Sequence, residues 1–272
     1  MNERSFSIRG EKMEFQTIQL EISDRLATLT LNRPNAMNAM DLNMLKELAH
    51  CFESLQDNEE VQVLIVKGAG KAFSAGGDIK MMLQTENAIS FEDIMDYITR
   101  ISQAYYQLPM ITISQIHGAA AGLGFSLAIA SDIVVAEESS KLAMNFIGIG
   151  LIPDGGGHFF MKERVGVPKA KQIIWEGKMM NGKEALAVGL IDELAPEGSS
   201  QQVVSQLTDK LLASPISSML ETKSILHSQK LDELKVTLEK EAVSQLKMRN
   251  TNDHLEGIQA FVEKRSPKFI GK

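Results

Sequence analysis

His117-Gly118-Ala119-Ala120-Ala121-Gly122-Leu123-Gly124-Phe125 is the stretch on which the architecture turns. It follows the apolar, β-branched run Ile111–Ile116, and Phe125 to Ala130 follow it without a charge. The sequence therefore reads strand, glycine/alanine turn, helix start. Small residues let a backbone approach a ligand closely. The N–H groups that open a helix have no intrahelical partner and face outward, ready for an anion or a developing oxyanion. The spacing Gly118-x-x-x-Gly122-x-Gly124 is not the dinucleotide pattern G-x-G-x-x-G, and no Lys-Ser/Thr ends it as in a phosphate loop. Small residues kept for tight packing explain the stretch equally simply, and from physics alone that explanation comes first.

Working outward, the same grammar recurs. Residues 15–22 and 25–31 alternate apolar and polar side chains about Ser23-Asp24, as an antiparallel hairpin does. A loop, Asn32-Arg33-Pro34-Asn35, leads to a helix over 41–55 with Leu45, Leu48, Phe52 and Leu55 at helical spacing. A strand over Val61–Val66 runs into a second small-residue turn, Ala72-Phe73-Ser74-Ala75-Gly76-Gly77-Asp78-Ile79. A helix over 91–107 precedes the opening stretch, and a strand at Ile133–Val135 follows it. Alternation of this kind predicts an α/β core with stacked sheets. After Gly155 the strand pattern nearly vanishes. Helical patterns cover 156–164, 168–176, 182–188, 200–213, 216–228 and 231–249, the last with an apolar stripe of Leu231, Leu234 and Leu238.

Composition narrows the classes. The 272 residues are 44% hydrophobic and 23% charged, which suits one sizeable core. A net charge of −7 disfavours sequence-independent nucleic-acid binding, which rests on Lys and Arg. Cys51 is the single cysteine, so neither an intramolecular disulfide nor a cysteine-rich zinc site is available. No apolar run approaches the ~20 residues that cross a bilayer. Met1–Lys12 is polar and lacks the apolar stretch of a signal peptide. Residues 1–14 are expected to be a flexible extension, and the protein to be cytoplasmic.

Asp154 lies in Ile152-Pro153-Asp154-Gly155-Gly156-Gly157-His158, just before a helix. It reads either as an N-cap or as a general base beside an apolar wall. A helix N-terminus lowers a carboxylate's pKa, whereas apolar neighbours raise it. His117 and His158 read as structural hydrogen bonders, and His50, His227 and His254 as surface or packing residues on helices. No metal-ligand spacing and no G-x-S-x-G elbow occurs.

Taken together these segments resemble the crotonase (enoyl-CoA hydratase/isomerase) superfamily. The landmarks are Leu31-Asn32-Arg33-Pro34 with Asn38, the Ala72–Lys80 turn, the Gly118–Ala128 turn, the Gly148–Gly157 stretch, Ala185–Leu190 and the ending Ala260–Arg265. The resemblance implies a spiral of β-β-α units over residues 15–200 that binds acyl-CoA, followed by a helical trimerisation region over 201–272. It also implies homotrimers or homohexamers, and CoA thioester substrates with no separate cofactor, coenzyme A being part of the substrate. No metal, nucleic acid or membrane is called for. Two backbone N–H groups of this family bind the thioester oxygen, and by position these are Ala75 and Leu123. Arg33, Asn35, Ala75, Gly76, Asp78, Ile79, Lys80, Gly122, Phe125 and Phe146 become the candidate substrate and CoA contacts, with the tail cations Lys264, Arg265 and Lys268 as further phosphate partners. Phe125, Met144, Phe146 and Phe159 are candidates for an acyl pocket or, equally, for the core.

The resemblance also carries a departure. Hydratases of the family hold water between two glutamates, and here Ser126 and Phe146 stand at those places. A carboxylate remains in the Pro-Asp-Gly turn, as in isomerases. The phenylacetate-pathway ring isomerases, which act on 1,2-epoxyphenylacetyl-CoA, look closest in Ser126-Leu127-Ala128, Phe146 and Pro153-Asp154. Asp154 is thus the expected acid/base. An enoyl-CoA hydratase and a non-catalytic acyl-CoA-binding relative are the alternatives. A dehalogenase-like nucleophilic aspartate also needs a tryptophan, and Trp175 lies in a later helix.

Overall fold

The computed structural model describes residues 15–79 and 90–272, with backbone alone for 6–8 and 11–13. Those two short pieces, β1 (Phe6–Ile8) and β2 (Glu11–Met13), pair antiparallel. Both lie within the extension expected over residues 1–14.

Six strands form the main sheet: β3 (Ile18–Ser23), β4 (Leu26–Leu31), β5 (Val63–Gly68), β6 (Ile111–Ile116), β8 (Ile133–Glu137) and β10 (Glu193–Ala195). Their spatial order is β10-β8-β6-β5-β4-β3. Only β3 and β4 pair antiparallel, as the hairpin reading requires, and the rest are parallel. Parallel strands need crossovers, and helices supply most of them: α1 (Leu42–Leu55) before β5 and α2 (Phe91–Tyr106) before β6. Both helices are capped by the side chain that precedes them, Asp41 on Met44 N–H and Ser90 on Asp93 N–H.

Between each strand and the following helix the chain makes a second, shorter pairing. Met40 bridges Gly77, Ser74 bridges Ala120, β7 (Ala119–Ala121) pairs with β9 (Lys141–Ala143), and Leu142 bridges Met180. Every turn of the chain therefore gives one strand to the large sheet and one to a small layer beside it. This is the expected spiral of β-β-α units. The sequence did not reveal β7, β9 or β10, because three-residue strands carry too little periodicity to read.

The central strands of the main sheet are buried on both faces, which is why β5 reads as a continuous apolar run. Leu64 and Val66 point into the principal core with Leu45, Leu48 and Phe52 of α1 and Tyr105 of α2. Val63 and Ile65 point the other way, under Val204 and Leu211 of α6 (Ser200–Leu212) and Ile216 of α7 (Ile216–Ser228). The remaining helices are α3 (Leu123–Ile129), α4 (Gly157–Glu176), α5 (Gly182–Val188), α8 (Leu231–Arg249) and α9 (Asn252–Glu263). α4 is broken at Gly166 (φ 73°, ψ 160°), so it is the two helices expected on either side of that point. Among the described residues no helix is long and apolar enough to cross a membrane.

Candidate active site

Two glycine-rich turns lie face to face at the junction of β7 and α3. A Cβ placed on Gly124 would sit 2.7 Å from Ser74 Cβ and Oγ. One on Gly76 would sit 2.6 Å from the Ala121 carbonyl and 3.3 Å from the Leu123 nitrogen. Gly122 adopts φ 51°, ψ −128°, a conformation closed to L side chains. The packing explanation and the ligand explanation are therefore one. Small residues bring the turns together, and that contact sets backbone amides of both turns side by side.

Which amides remain open follows from the bonding. Arg33 N–H donates to Asn38 Oδ1, and Asn38 Nδ2 donates to the Ala69 and Ala72 carbonyls, clamping the 33–41 loop on the first glycine turn. Ala75 N–H then donates to Met37 O at 2.9 Å, Gly76 N–H to Ser74 Oγ at 3.1 Å, and Asp78 N–H to Met40 O at 3.1 Å. The expectation for Ala75 is corrected here, since its amide is already committed. Gly77 is the alternate residue of that parallel pairing, so its N–H points away from Met40. Among the described residues neither the Gly77 amide nor that of Leu123, in the first turn of α3, has a hydrogen-bond partner.

The Asp154 turn rests against the same helix. A Cβ on Gly155 would meet Leu123 Cδ1 at 2.5 Å, and one on Gly157 would meet Ser126 Oγ at 2.9 Å. Asp154 does not cap α4. The carboxylate of Glu241, on α8, does so: Gly156 N–H donates to Oε2 at 2.8 Å and His158 N–H to Oε1 at 3.0 Å. Asp154 itself is 7% exposed. Its Oδ2 accepts from Gln245 Nε2 at 3.0 Å, and its Oδ1 has no partner. Burial pushes its pKa up from 3.8 to about 7, the Gln245 hydrogen bond works against that rise, and the nearby Glu241 charge adds to it. Apolar surroundings, rather than the helix N-terminus, win the contest left open by the sequence.

The two positions where hydratases carry glutamate offer no carboxylate. Ser126 is fully buried and its hydroxyl faces Met144 Sδ at 3.7 Å. The Phe146 ring lies 3.7 Å from the Cβ position of Gly122, the residue before Leu123. Glu241 is near, but both its oxygens are taken, Oε1 also by His158 Nδ1 at 2.8 Å.

The other expected contacts divide. Arg33 is held by Asp41 and Asp78 at 3.1 Å each, so it braces the loop instead of offering a free guanidinium. Asn35 is exposed on a short 3-10 turn, Pro34–Ala36, and Ile79 is half-buried at the end of the first glycine turn. Lys80 lies outside the described residues. Phe125, Met144 and Phe159 sit in the core at 2% exposure or less, so packing explains them. Arg265 is paired with Glu256 and Glu263 and is not a free phosphate partner. Trp175 is 67% exposed on α4, which removes support from the dehalogenase-like alternative. His117 bonds to the Gly70 carbonyl, the structural role expected for it, and His254, expected at the surface or in packing, is buried on α9 and bonds to the Ile149 carbonyl.

Sequence reading missed Glu241, Gln245 and Gly77. A signal for the first two was present. Leu234, Leu238, Glu241 and Gln245 recur at helical spacing, so two polar residues fall on the buried stripe of α8.

Comparison with known proteins agrees with this geometry. The sequence model of the enoyl-CoA hydratase/isomerase family matches residues 21–272. YhaR of Bacillus subtilis (strain 168), assigned by name to the enoyl-CoA hydratase/isomerase group, is 47% identical over 257 residues, 94% of this chain and 99% of its own. The 1,2-epoxyphenylacetyl-CoA isomerase of Escherichia coli (strain K12) is 30% identical, covering 96% of this chain and 100% of its own. Among solved structures, an enoyl-CoA hydratase from Mycobacterium avium subsp. paratuberculosis K-10 superposes with a TM-score of 0.86 at 30% identity, covering 94% of this chain and 100% of its own.

Proposed function

The chain belongs to the enoyl-CoA hydratase/isomerase family, and from that footing we propose that it is an acyl-CoA isomerase that shifts a double bond next to the thioester, with Asp154 as acid/base. One observation carries this reading: Asp154 is, among the described residues, the buried carboxylate with an unpaired oxygen, and its pKa is pushed up to about 7. A base poised near the working pH can both take and return a proton, and such a group contributes ~10²–10⁴-fold.

With a 3-enoyl thioester, Asp154 removes a proton from the α carbon. The C–H electron pair becomes a C=C bond, and charge passes to the thioester oxygen. The Gly77 and Leu123 amides donate to that oxygen, each such donor being worth about 2.7–4 kcal/mol in developing-charge stabilisation. The protonated Asp154 then gives its proton to the γ carbon. The thioester carbonyl re-forms, and the double bond rests between the α and β carbons. Nothing is gained or lost, so no second carboxylate and no bound water are needed.

Purified protein incubated separately with a 3-enoyl-CoA and a 2-enoyl-CoA distinguishes the alternatives. An absorbance rise from the 3-enoyl ester at constant mass is expected. Addition of one water to the 2-enoyl ester, with the 3-enoyl ester unchanged, would instead make it a hydratase. The exposed apolar side chains Leu226, Val243, Leu255 and Phe261 of α7, α8 and α9 support assembly into a homotrimer or homohexamer. Sedimentation equilibrium checks this, and a monomer at micromolar concentration contradicts it.

A further inference from the structure

A carboxylate just ahead of a helix is ordinarily captured by the first free amides of that helix, which lowers its pKa and occupies its oxygens. Asp154 escapes this because Glu241 of α8 takes those amides first, at Gly156 and His158. One helical turn further along α8, Gln245 binds Oδ2 of Asp154 and leaves Oδ1 open. The same Gln245 accepts from Ile152 N–H at 3.4 Å, tying the turn that carries Asp154 to α8 on both sides of Pro153. Glu241 and Gln245 are each 2% exposed. We propose that Glu241 and Gln245 are positioning residues for the reaction: Glu241 displaces Asp154 from the helix N-terminus, and Gln245 fixes Oδ2 so that Oδ1 is the reacting oxygen.

This inference rests on Asp154 being the acid/base. The titratable groups that face Asp154 among the described residues are Glu241 of α8 and His158 of α4. The adjoining Gly155 and Gly157 meet the neutral Leu123 and Ser126 of α3, and Gly155 also neighbours Ile98 of α2. The charge of Glu241 holds the proton on Asp154, while His158 and the Gln245 hydrogen bond draw it off. Removing each group therefore moves Asp154 in a defined direction.

The test is the pH dependence of kcat/KM on a 3-enoyl-CoA, together with a carbon-13 titration of the Asp154 carboxyl in the same full-length variants. Glu241→Gln keeps an acceptor for the helix amides but loses the charge, and its acidic limb is expected to move down by about one unit. Gln245→Leu is expected to move the limb up, and to lower kcat on the order of 10- to 100-fold with KM little changed, because the reacting oxygen is no longer fixed. His158 is part-exposed, so His158→Ala keeps the test open if a buried variant does not fold; its limb moves up. Limbs and carboxyl titrations at their wild-type positions in every folded variant, with only the melting temperature changed, would overturn the inference and leave a structural role. If the carboxyl titrations move as stated while Asp154→Asn still turns over, α8 does set the protonation of Asp154, but the acid/base assignment fails and the role of Glu241 and Gln245 in the reaction fails with it.

Discussion

At the corner where the two glycine turns meet, the open groups are backbone amides, and the residues that set them lie in neighbouring turns of one spiral. At the Asp154 corner the open group is a side-chain oxygen, and its partner, Gln245, comes from 91 residues further along the chain. The first corner is specified by what is missing from the sequence, a Cβ at Gly76, Gly122 and Gly124. The second is specified by what is present, three polar side chains on two elements far apart in sequence. The corners meet at α3, where Leu123 and Ser126 pack against the Asp154 turn. Under the proposed mechanism this arrangement separates charge stabilisation from proton transfer, so each can be disturbed with the other left standing.

The largest expected effect that sharpens this contrast is on stability. Asp154 has a folded pKa of about 7 against an ordinary 3.8, so its native state favours the protonated form. The associated stability is fully present below about pH 4 and is lost as the pH rises through 7. A shift of that size is worth about 4 kcal/mol. Asp154→Asn cannot ionise. Its gain in melting temperature over wild type should be small at pH 4, grow through pH 7 and level off above it. A gain independent of pH would mean that Asp154 is an ordinary carboxylate in this fold.

At the other corner the smaller effect falls on turnover. Gly76→Ala forces a Cβ towards the Ala121 carbonyl and the Leu123 nitrogen from a residue at φ 91°. Displacing the turns by even ~1 Å costs on the order of 100-fold in kcat. Leu123→Ala keeps its amide, so its loss in kcat should stay under about tenfold, despite a cavity penalty to stability of ~2–5 kcal/mol. If Leu123→Ala lost as much turnover as Gly76→Ala, the side chain and not the amide would carry that corner.

The contrast also explains what could be read from sequence. The glycine turns, the hairpin and the long helices were legible, because local periodicity and small-residue runs encode them within a few residues. Asp154 was legible as a candidate, and as an acid/base only through the family resemblance; its own residues left cap and base open, because that choice depended on Glu241. That competitor for the α4 amides sits 85 residues beyond Gly156. Ala75 was misassigned for a related reason. Neighbouring amides in an extended turn alternate in direction, and only the pairing of Met40 with Gly77 shows which one is left open. Arg33, expected to face phosphate, turned out to be the brace between Asp41 and Asp78, two carboxylates that its loop position alone did not connect to it.

The most direct test is turnover of a 3-enoyl-CoA by wild type and Asp154→Asn, at neutral pH, with CoA-ester affinity measured alongside. Loss of roughly 10²–10⁴-fold in isomerisation with affinity retained is the result predicted for the acid/base role. Turnover by Asp154→Asn at the wild-type rate would contradict it.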